Sequence, residues 1–429
     1  MMQTSILIAS SVMLVLLFLK VPVFASVLGG SICYFVLTPG TNPAIFAQKM
    51  ISGTESISLL AIPFFVCAGV FMNYTGVTKR IMTFCEVMTG RMSGGLAQVN
   101  VLLSTLMGGL SGSNIADAAM EAKMLVPEME KKGYSKEFSS VITAASSMIM
   151  PLIPPGIAMI LYGCIANVSI GKLFVSGISI GSMLCVTEMF MVMLISKKRG
   201  YAPIRTKKLT SKEVVNAVRP AFLPLCLPFI IIGGIRFGVF TATEAGAGAI
   251  VYAIALGLYY KELRFNDAGK AIRETVTTTA AIMMIVASAT IFSWILTREQ
   301  IPQHLTQWIV STIDNKYMFL LIVNIFLLIV GMFVEGNASM IVLVPLLAPI
   351  ASAYGIDEIH FAMIYIFNNA IGAFSPPMGT LMFVTCGITG CKTKDFIKEA
   401  LPFYLLLVTV LLLITYIPAF STWLVDIFY

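Results

Sequence analysis

The chain has 429 residues, 58% hydrophobic and only 11% charged, with a mean hydropathy of +0.91. Soluble domains carry about 25% charged residues, so water could not solvate this surface, and a soluble fold would need polar outer helix faces that are missing. The formal charge of +7, from 28 basic and 21 acidic residues, fits basic cytoplasmic loops of a membrane protein rather than a nucleic-acid surface.

Apolar runs fill the chain from end to end. In the first half they fall near 5–19, 21–38, 57–72, 79–90, 95–110, 114–126, 137–150, 157–168 and 171–196. No basic residue precedes the first run and Lys20 follows it. A secretory signal would carry its positive charge first, so this run reads as a retained helix starting outside. A basic stretch at 197–219 reads as a cytoplasmic linker; it holds Lys197, Lys198, Arg199, Arg205, Lys207, Lys208, Lys212 and Arg219. In the second half the runs fall near 220–235, 241–260, 275–297, 317–333, 337–352, 358–373, 378–389 and 400–426. Eight cysteines lie mostly inside these runs without a CxxC pair. His304 and His360 are far apart, so neither a disulfide framework nor a transition-metal site is expected.

A spanning helix needs about 20 apolar residues, and several runs are shorter and paired. Non-helical backbone survives at membrane depth only where protein, water or an ion satisfies it. Paired short runs therefore point to re-entrant hairpins and broken helices, as at transporter binding sites. The interruptions also repeat. Gly109-Leu110-Ser111-Gly112-Ser113-Asn114 is followed by Ile153-Pro154-Pro155-Gly156, and Val334-Glu335-Gly336-Asn337-Ala338-Ser339 by Ser375-Pro376-Pro377-Met378-Gly379. Gly112 stands 42 positions before Pro154 and Gly336 stands 40 before Pro376, and a Val-Pro follows each first element, at Val126-Pro127 and Val344-Pro345.

The expected fold is an all-α polytopic membrane protein of two inverted-topology repeats. Residues 1–196 form the first, with a hairpin near 95–126 and a broken helix near 137–168. Residues 197–219 are the linker. Residues 220–429 form the second, with a hairpin near 317–352 and a broken helix near 358–389. Basic loops after Lys20, at Lys197–Arg219 and at Lys392–Lys398 would be cytoplasmic, leaving Tyr429 outside, although Lys131, Lys132 and Lys136 also need a cytoplasmic place.

A tip brought against a proline break makes an oxygen cage suited to a hard cation such as Na⁺, because proline frees a carbonyl one turn back. The first candidate sodium site is Ser111, Gly112, Ser113, Asn114, Pro154 and Gly156, the last through its carbonyl. The second is Gly336, Asn337, Ser375, Pro377, Met378, Gly379 and Thr380. Half-helix N-termini favour an anion. Ionisable residues in apolar context are expensive and hence candidate functional groups. Ser113, Asp117, Glu244, Arg298 and Glu335 are the candidates for substrate binding or coupling, with Arg298 able to hold a carboxylate by two parallel hydrogen bonds. Structural charge pairing is the competing reading for each, and Glu188 is read as structural.

At these motifs the chain resembles the large membrane subunit of tripartite ATP-independent periplasmic (TRAP) transporters. The stretches are Ile62-Pro63-Phe64-Phe65, Gly109 to Met120, Ile153 to Gly163, Gly233 to Ala245, Glu335 to Pro345 and Phe374 to Gly387. The resemblance implies an elevator-type architecture similar to divalent anion:Na⁺ symporters. It implies Na⁺-driven uptake of a small organic-acid anion across a bacterial inner membrane, with no organic cofactor. An extracytoplasmic binding protein and a separate small membrane subunit are the implied partners, besides membrane lipid. The details look most like the sialic-acid branch, while C4-dicarboxylate relatives share the main motifs. The chain departs from many relatives in reading Gly156 after the first proline pair, where they carry Ser.

Three rival functions can be weighed. Gly109-Leu110-Ser111-Gly112 matches the Gly-x-Ser-Gly of an intramembrane serine hydrolase, but no histidine base sits mid-helix in an apolar run. A channel would need a continuous pore, which an inverted duplicate does not favour. A stand-alone symporter differs only in needing no partners.

Overall fold

A computed structural model describes residues 2–19, 21–206 and 209–429. Lys20, Lys207 and Lys208 lie outside them. The first half runs α1 (Met2–Phe18), α2 (Val23–Leu37), α3 (Pro43–Ser52), α4 (Ala61–Asn73), α5 (Val77–Thr89), α6 (Gly95–Ser111), α7 (Asn114–Lys131), α8 (Lys136–Ser146), α9 (Ile157–Ala166) and α10 (Ile170–Arg199). The second runs α11 (Ser211–Arg236), α12 (Ala242–Tyr259), α13 (Phe265–Arg298), α14 (Ile301–Thr312), α15 (Lys316–Gly331), α16 (Gly336–Ala353), α17 (Glu358–Phe374), α18 (Thr380–Thr389), α19 (Thr393–Tyr416) and α20 (Ala419–Phe428). Among the described residues six helices are long and apolar enough to cross a membrane, or up to eight if each of two bent pairs is one span. The bent pairs are Pro43–Ser52 with Ile57–Asn73, at 53°, and Lys136–Leu152 with Ile157–Ala166, at 42°.

The helix starts fix how the halves correspond. Ser113 caps α7 and Glu335 caps α16, and each stands 41 positions before the first proline of its break, Pro154 or Pro376. Pro127 in α7 and Pro349 in α16 each stand 27 positions before the same prolines. The aligned residues are therefore Asn114 with Gly336 and Pro127 with Pro349, a two-residue correction to matching Gly112 with Gly336. The two glycines do different work. Gly112 ends α6 in the left-handed region at φ 68°, where a side chain would be strained. The second turn, 332–335, contains no glycine, and Gly336 opens α16 instead.

Packing exchanges elements between the halves. The second arm of the first hairpin, α7, lies on α18, and its counterpart α16 lies on α9. Around this centre α4 packs along α12 and α2 along α13. One close approach is backbone to backbone: a Cβ on Gly372 of α17 would sit 2.5 Å from the Gly331 Cα of α15.

Three features were not foreseen. α3 and α14 have no counterpart among the expected runs. The last run is not one helix, because the chain breaks at Ile417-Pro418 and α20 turns onto α10, where Ser176 Oγ donates to the Ser421 carbonyl at 2.6 Å. The linker is short and docked, since α10 continues to Arg199 and α11 begins at Ser211. Tyr201 stacks on Tyr134 at 4.3 Å, Arg205 N donates to the Gly90 carbonyl at 2.9 Å, and Arg199 pairs with Glu399 at 2.7 Å. These contacts bring the basic stretches 131–136, 197–205 and 392–398 to one end of the molecule. Tyr429 lies against Gly171 and Arg236, at the start of α10 and so at the other end.

Gly372→Ala should cost about 1–3 kcal/mol by overpacking the α15–α17 contact. Thermal unfolding in detergent checks this, with Gly387→Ala, whose Cβ would meet nothing within 4 Å, as the control.

Candidate functional site

A cavity of about 460 Å³ lies where the two tips and the two breaks converge. The first tip contributes Gly112, Ser113 and Asn114, and the second Glu335, Gly336 and Asn337. The breaks contribute Pro151, Ile157, Ala373 and Thr380. Helix α13 closes it with Thr277, Thr278 and Ala281, and α17 adds Asn369.

Proline chemistry explains what the breaks present. In a helix the carbonyl of residue i accepts from the N–H of residue i+4. For Pro151 and Ala373 that residue is Pro155 or Pro377, which has no N–H. Among the described residues neither carbonyl receives a hydrogen bond, and both residues line the cavity. The Pro154-Pro155 and Pro376-Pro377 bonds are both cis. A Cβ on Gly156 would lie 2.5 Å from the Pro151 oxygen, and one on Gly379 2.7 Å from the Ala373 oxygen. Glycine is thus what lets each helix restart against an open carbonyl. The Pro154 and Pro155 carbonyls lie beside Gly109 and Gly112, 3.1 and 3.4 Å from where their Cβ atoms would be, and accept no hydrogen bond among the described residues. Tip and break therefore meet at the first site, and their neutral oxygen donors fit a hard monovalent cation, whose ligands are oxygens as for other hard cations.

The second tip is tied more tightly than the first. Asn369 Nδ2 donates to the Gly336 carbonyl at 2.6 Å, and Asn369 Oδ1 accepts from Ser339 Oγ at 3.1 Å. The Glu335 carboxylate accepts from the N–H groups of Asn337 and Ala338 at 3.2 and 3.1 Å, and from Asn337 Nδ2 at 2.9 Å. It neutralises the positive end of α16 from within. At the first tip, among the described residues, only the Ser113 hydroxyl caps α7, accepting from Ala116 N at 3.4 Å.

Several expected site residues lie elsewhere. Ser111 donates its hydroxyl to Asp117, and both are buried inside the first hairpin rather than on the cavity. The Gly156 carbonyl accepts from Met159 N and Ile160 N at 3.1 and 3.2 Å as the cap of α9. Ser375 donates back to the Ile371 carbonyl at 2.8 Å, and Met378 borders a separate apolar cavity. Glu244 is exposed in a capping box with Thr241 at the start of α12. Arg298 is exposed at the end of α13, with its guanidinium 5.3 Å from the Trp294 ring centre, and does not line the cavity. Asn369, Thr277 and Thr278 were missed. The signal for Asn369 was present, as Asn368-Asn369 interrupts an apolar run.

These features define a multi-pass helical membrane protein built around one central cavity between duplicated hairpins and broken helices. The chain belongs to the family described as the DctM component of the tripartite ATP-independent periplasmic transporter, which matches residues 11–420. It is 38% identical to the sialic acid TRAP transporter large permease protein SiaM of Vibrio cholerae, over 96% of each chain. It is 36% identical to the C4-dicarboxylate TRAP transporter large permease protein DctM of Pseudomonas aeruginosa, over 92% of each. Its fold is similar to that of the YdaH transporter of Alcanivorax borkumensis, with a TM-score of 0.63 at 13% identity over 88% of each chain.

Arg298→Ala and Glu244→Gln should leave the substrate half-saturation of reconstituted uptake within about twofold, since neither side chain reaches the cavity. Asn369→Ala should instead destabilise the protein by about 1–3 kcal/mol, by leaving the Gly336 carbonyl without its buried donor. Uptake kinetics and thermal unfolding of the three variants check both expectations.

Proposed function

We propose that this chain is the large subunit of a Na⁺-coupled uptake system for a small organic-acid anion, acting with a small membrane subunit and an extracytoplasmic binding protein. The observation that carries the reading is the single cavity onto which both tips and both breaks open. Open carbonyls at the breaks and amide oxygens of Asn114 and Asn337 are suited to holding one cation on each side. Bound Na⁺ would supply positive charge that draws each tip onto its break. Asn114 and Ser113 present the less neutralised helix end, so the substrate carboxylate is read there, while Thr277, Thr278 and Thr380 offer hydroxyls to the rest of the molecule. Glu335 keeps a second anion from the α16 end.

The excess of Lys and Arg at one end supports a cytoplasmic position for that end, with Tyr429 then on the periplasmic side of a bacterial inner membrane. Access alternates by an elevator movement of the hairpins and broken helices against a scaffold that includes α2, α4, α12 and α13. Sialic acid is the favoured substrate, supported by the likeness to the Vibrio cholerae permease. A C4-dicarboxylate is the second reading, supported by the likeness to the Pseudomonas aeruginosa permease.

Uptake of labelled sialic acid into proteoliposomes holding all three components tests this, each component being omitted in turn, with and without an inward Na⁺ gradient. Uptake should need all three and the gradient. Na⁺-driven uptake of a dicarboxylate alone would overturn the substrate, and uptake without gradient or binding protein would overturn the mechanism. Asn114→Ala and Asn337→Ala should each raise the Na⁺ half-saturation about tenfold, the loss of one ligand worth about 1.4 kcal/mol. Unchanged Na⁺ dependence in a folded variant would remove that residue from the site.

A further inference from the structure

Inside the first hairpin lies a chain of polar side chains that the transport site does not use. Glu121 of α7, Ser104 and Asn100 of α6, and Ser146 and Thr143 of α8 are all buried with no exposed surface. Ser104 Oγ lies 2.6 Å from Glu121 Oε2 and 2.8 Å from Ser146 Oγ. Ser146 Oγ lies 3.2 Å from Asn100 Oδ1, and Asn100 Nδ2 lies 2.6 Å from Thr143 Oγ1. Thr143 Oγ1 lies 2.9 Å from the Ser139 carbonyl.

The far end of this chain sets its direction, because a carbonyl can only accept. Thr143 therefore donates to Ser139, and Asn100 Nδ2 donates to Thr143. Besides Ser104, Ser146 Oγ faces two acceptors, Asn100 Oδ1 and the Thr143 carbonyl, each at 3.2 Å, and they take the one hydroxyl proton of Ser146. Ser104 must then donate to Ser146, and its own proton is used as well. The remaining contact, between Ser104 and Glu121, has a donor only if Glu121 carries a proton. Glu121 Oε1 has no hydrogen-bond partner, and no ion pair involves Glu121 among the described residues. A carboxylate there would be an uncompensated buried charge, whereas a carboxylic acid completes the chain.

We propose that Glu121 is a proton-binding site inside the first hairpin, holding its proton on Oε2 towards Ser104 and releasing it when the neighbouring tip takes up Na⁺. The release rests on the proposed Na⁺ site; the proton count does not. On release the O–H bond of Glu121 breaks, its electron pair stays on Oε2, the proton passes to bulk water, and Ser104 turns to donate to the carboxylate. The link to the tip runs through Asp117, one helical turn nearer to it, which takes the Ser111 hydroxyl and has an unpartnered Oδ1 of its own. Other titratable groups around Glu121 are few. Helix α6 carries none; α8 has Lys136 and Glu137 in its first turn, α18 has Cys386, and α5 presents Cys85.

Infrared difference spectra of the purified membrane complex, between Na⁺ and choline media, read the proton directly. A protonated-carboxyl band should be lost on adding Na⁺, be absent in Glu121→Gln, and shift in frequency in Ser104→Ala, which keeps the acid but removes its partner. In uptake, the wild-type Na⁺ half-saturation should rise with acidity, at most about tenfold per pH unit for one proton displaced by one ion, and stay flat in Glu121→Gln. A band that survives Glu121→Gln, or that Na⁺ leaves untouched in a preparation with Na⁺-driven uptake, overturns the proposal. Uptake with no Na⁺ dependence overturns the transport mechanism instead, and an acid band lost in Glu121→Gln then still establishes the proton site.

Discussion

A backbone N–H or C=O without a partner inside a bilayer costs several kcal/mol, and this chain breaks two helices despite that. The proline pairs at 154–155 and 376–377 remove the N–H groups that Pro151 and Ala373 would have bonded. The open oxygens have to face protein, water or an ion, so the surroundings of each break are constrained. A hairpin tip must come to it, and the restarting helix must begin with a glycine that can lie against it. The convergence of both tips and both breaks on one cavity follows from meeting this constraint twice in one fold.

The duplication is close in position and loose in chemistry. Where the first half caps its second hairpin arm with Ser113, the second half uses Glu335, which folds its charge onto its own helix end. Where α17 has Asn369 reaching across to the Gly336 carbonyl, the equivalent of α8 is Ser147, which bonds the Thr143 carbonyl in its own helix. The first hairpin is tied internally instead, by Ser111 with Asp117 and by Ser104 with Glu121. One tip is thus held from outside and the other from within. A binding event at the cavity meets two hairpins whose tips are restrained by different partners.

Much of this was legible in the residues. The apolar runs place most helices, and the repeated Gly and Pro-Pro interruptions mark both tips and both breaks. The register between repeats was not, because Gly112 and Gly336 look alike in sequence while one ends a helix and the other begins one. Helices α3 and α14 escaped because Gln48, Lys49, Gln303, His304 and Gln307 interrupt their apolar pattern. Glu244 and Arg298 drew attention as charges beside apolar runs. The Thr241-x-x-Glu244 spacing already reads as a capping box, and Arg298 sits where a cation favours a helix C-terminus. Local rules explained these charges, whereas Asn369 needed the tertiary contact with the second tip before its role could be read.

The exchange between halves bears on how the cavity can change its exposure. Helix α7, which carries the first tip, lies on α18, which restarts after the second break; α16, carrying the second tip, lies on α9, which restarts after the first. Pulling the two halves apart would strip each tip from the other half's restarted helix and expose the open carbonyls to lipid. Moving all four together preserves those contacts and parts them instead from scaffold helices such as α4 and α13, which touch α6, α9 and α16. The elevator movement proposed above agrees with the cost of unpaired backbone in a bilayer, since in it hairpins and broken helices would travel as one body past α13.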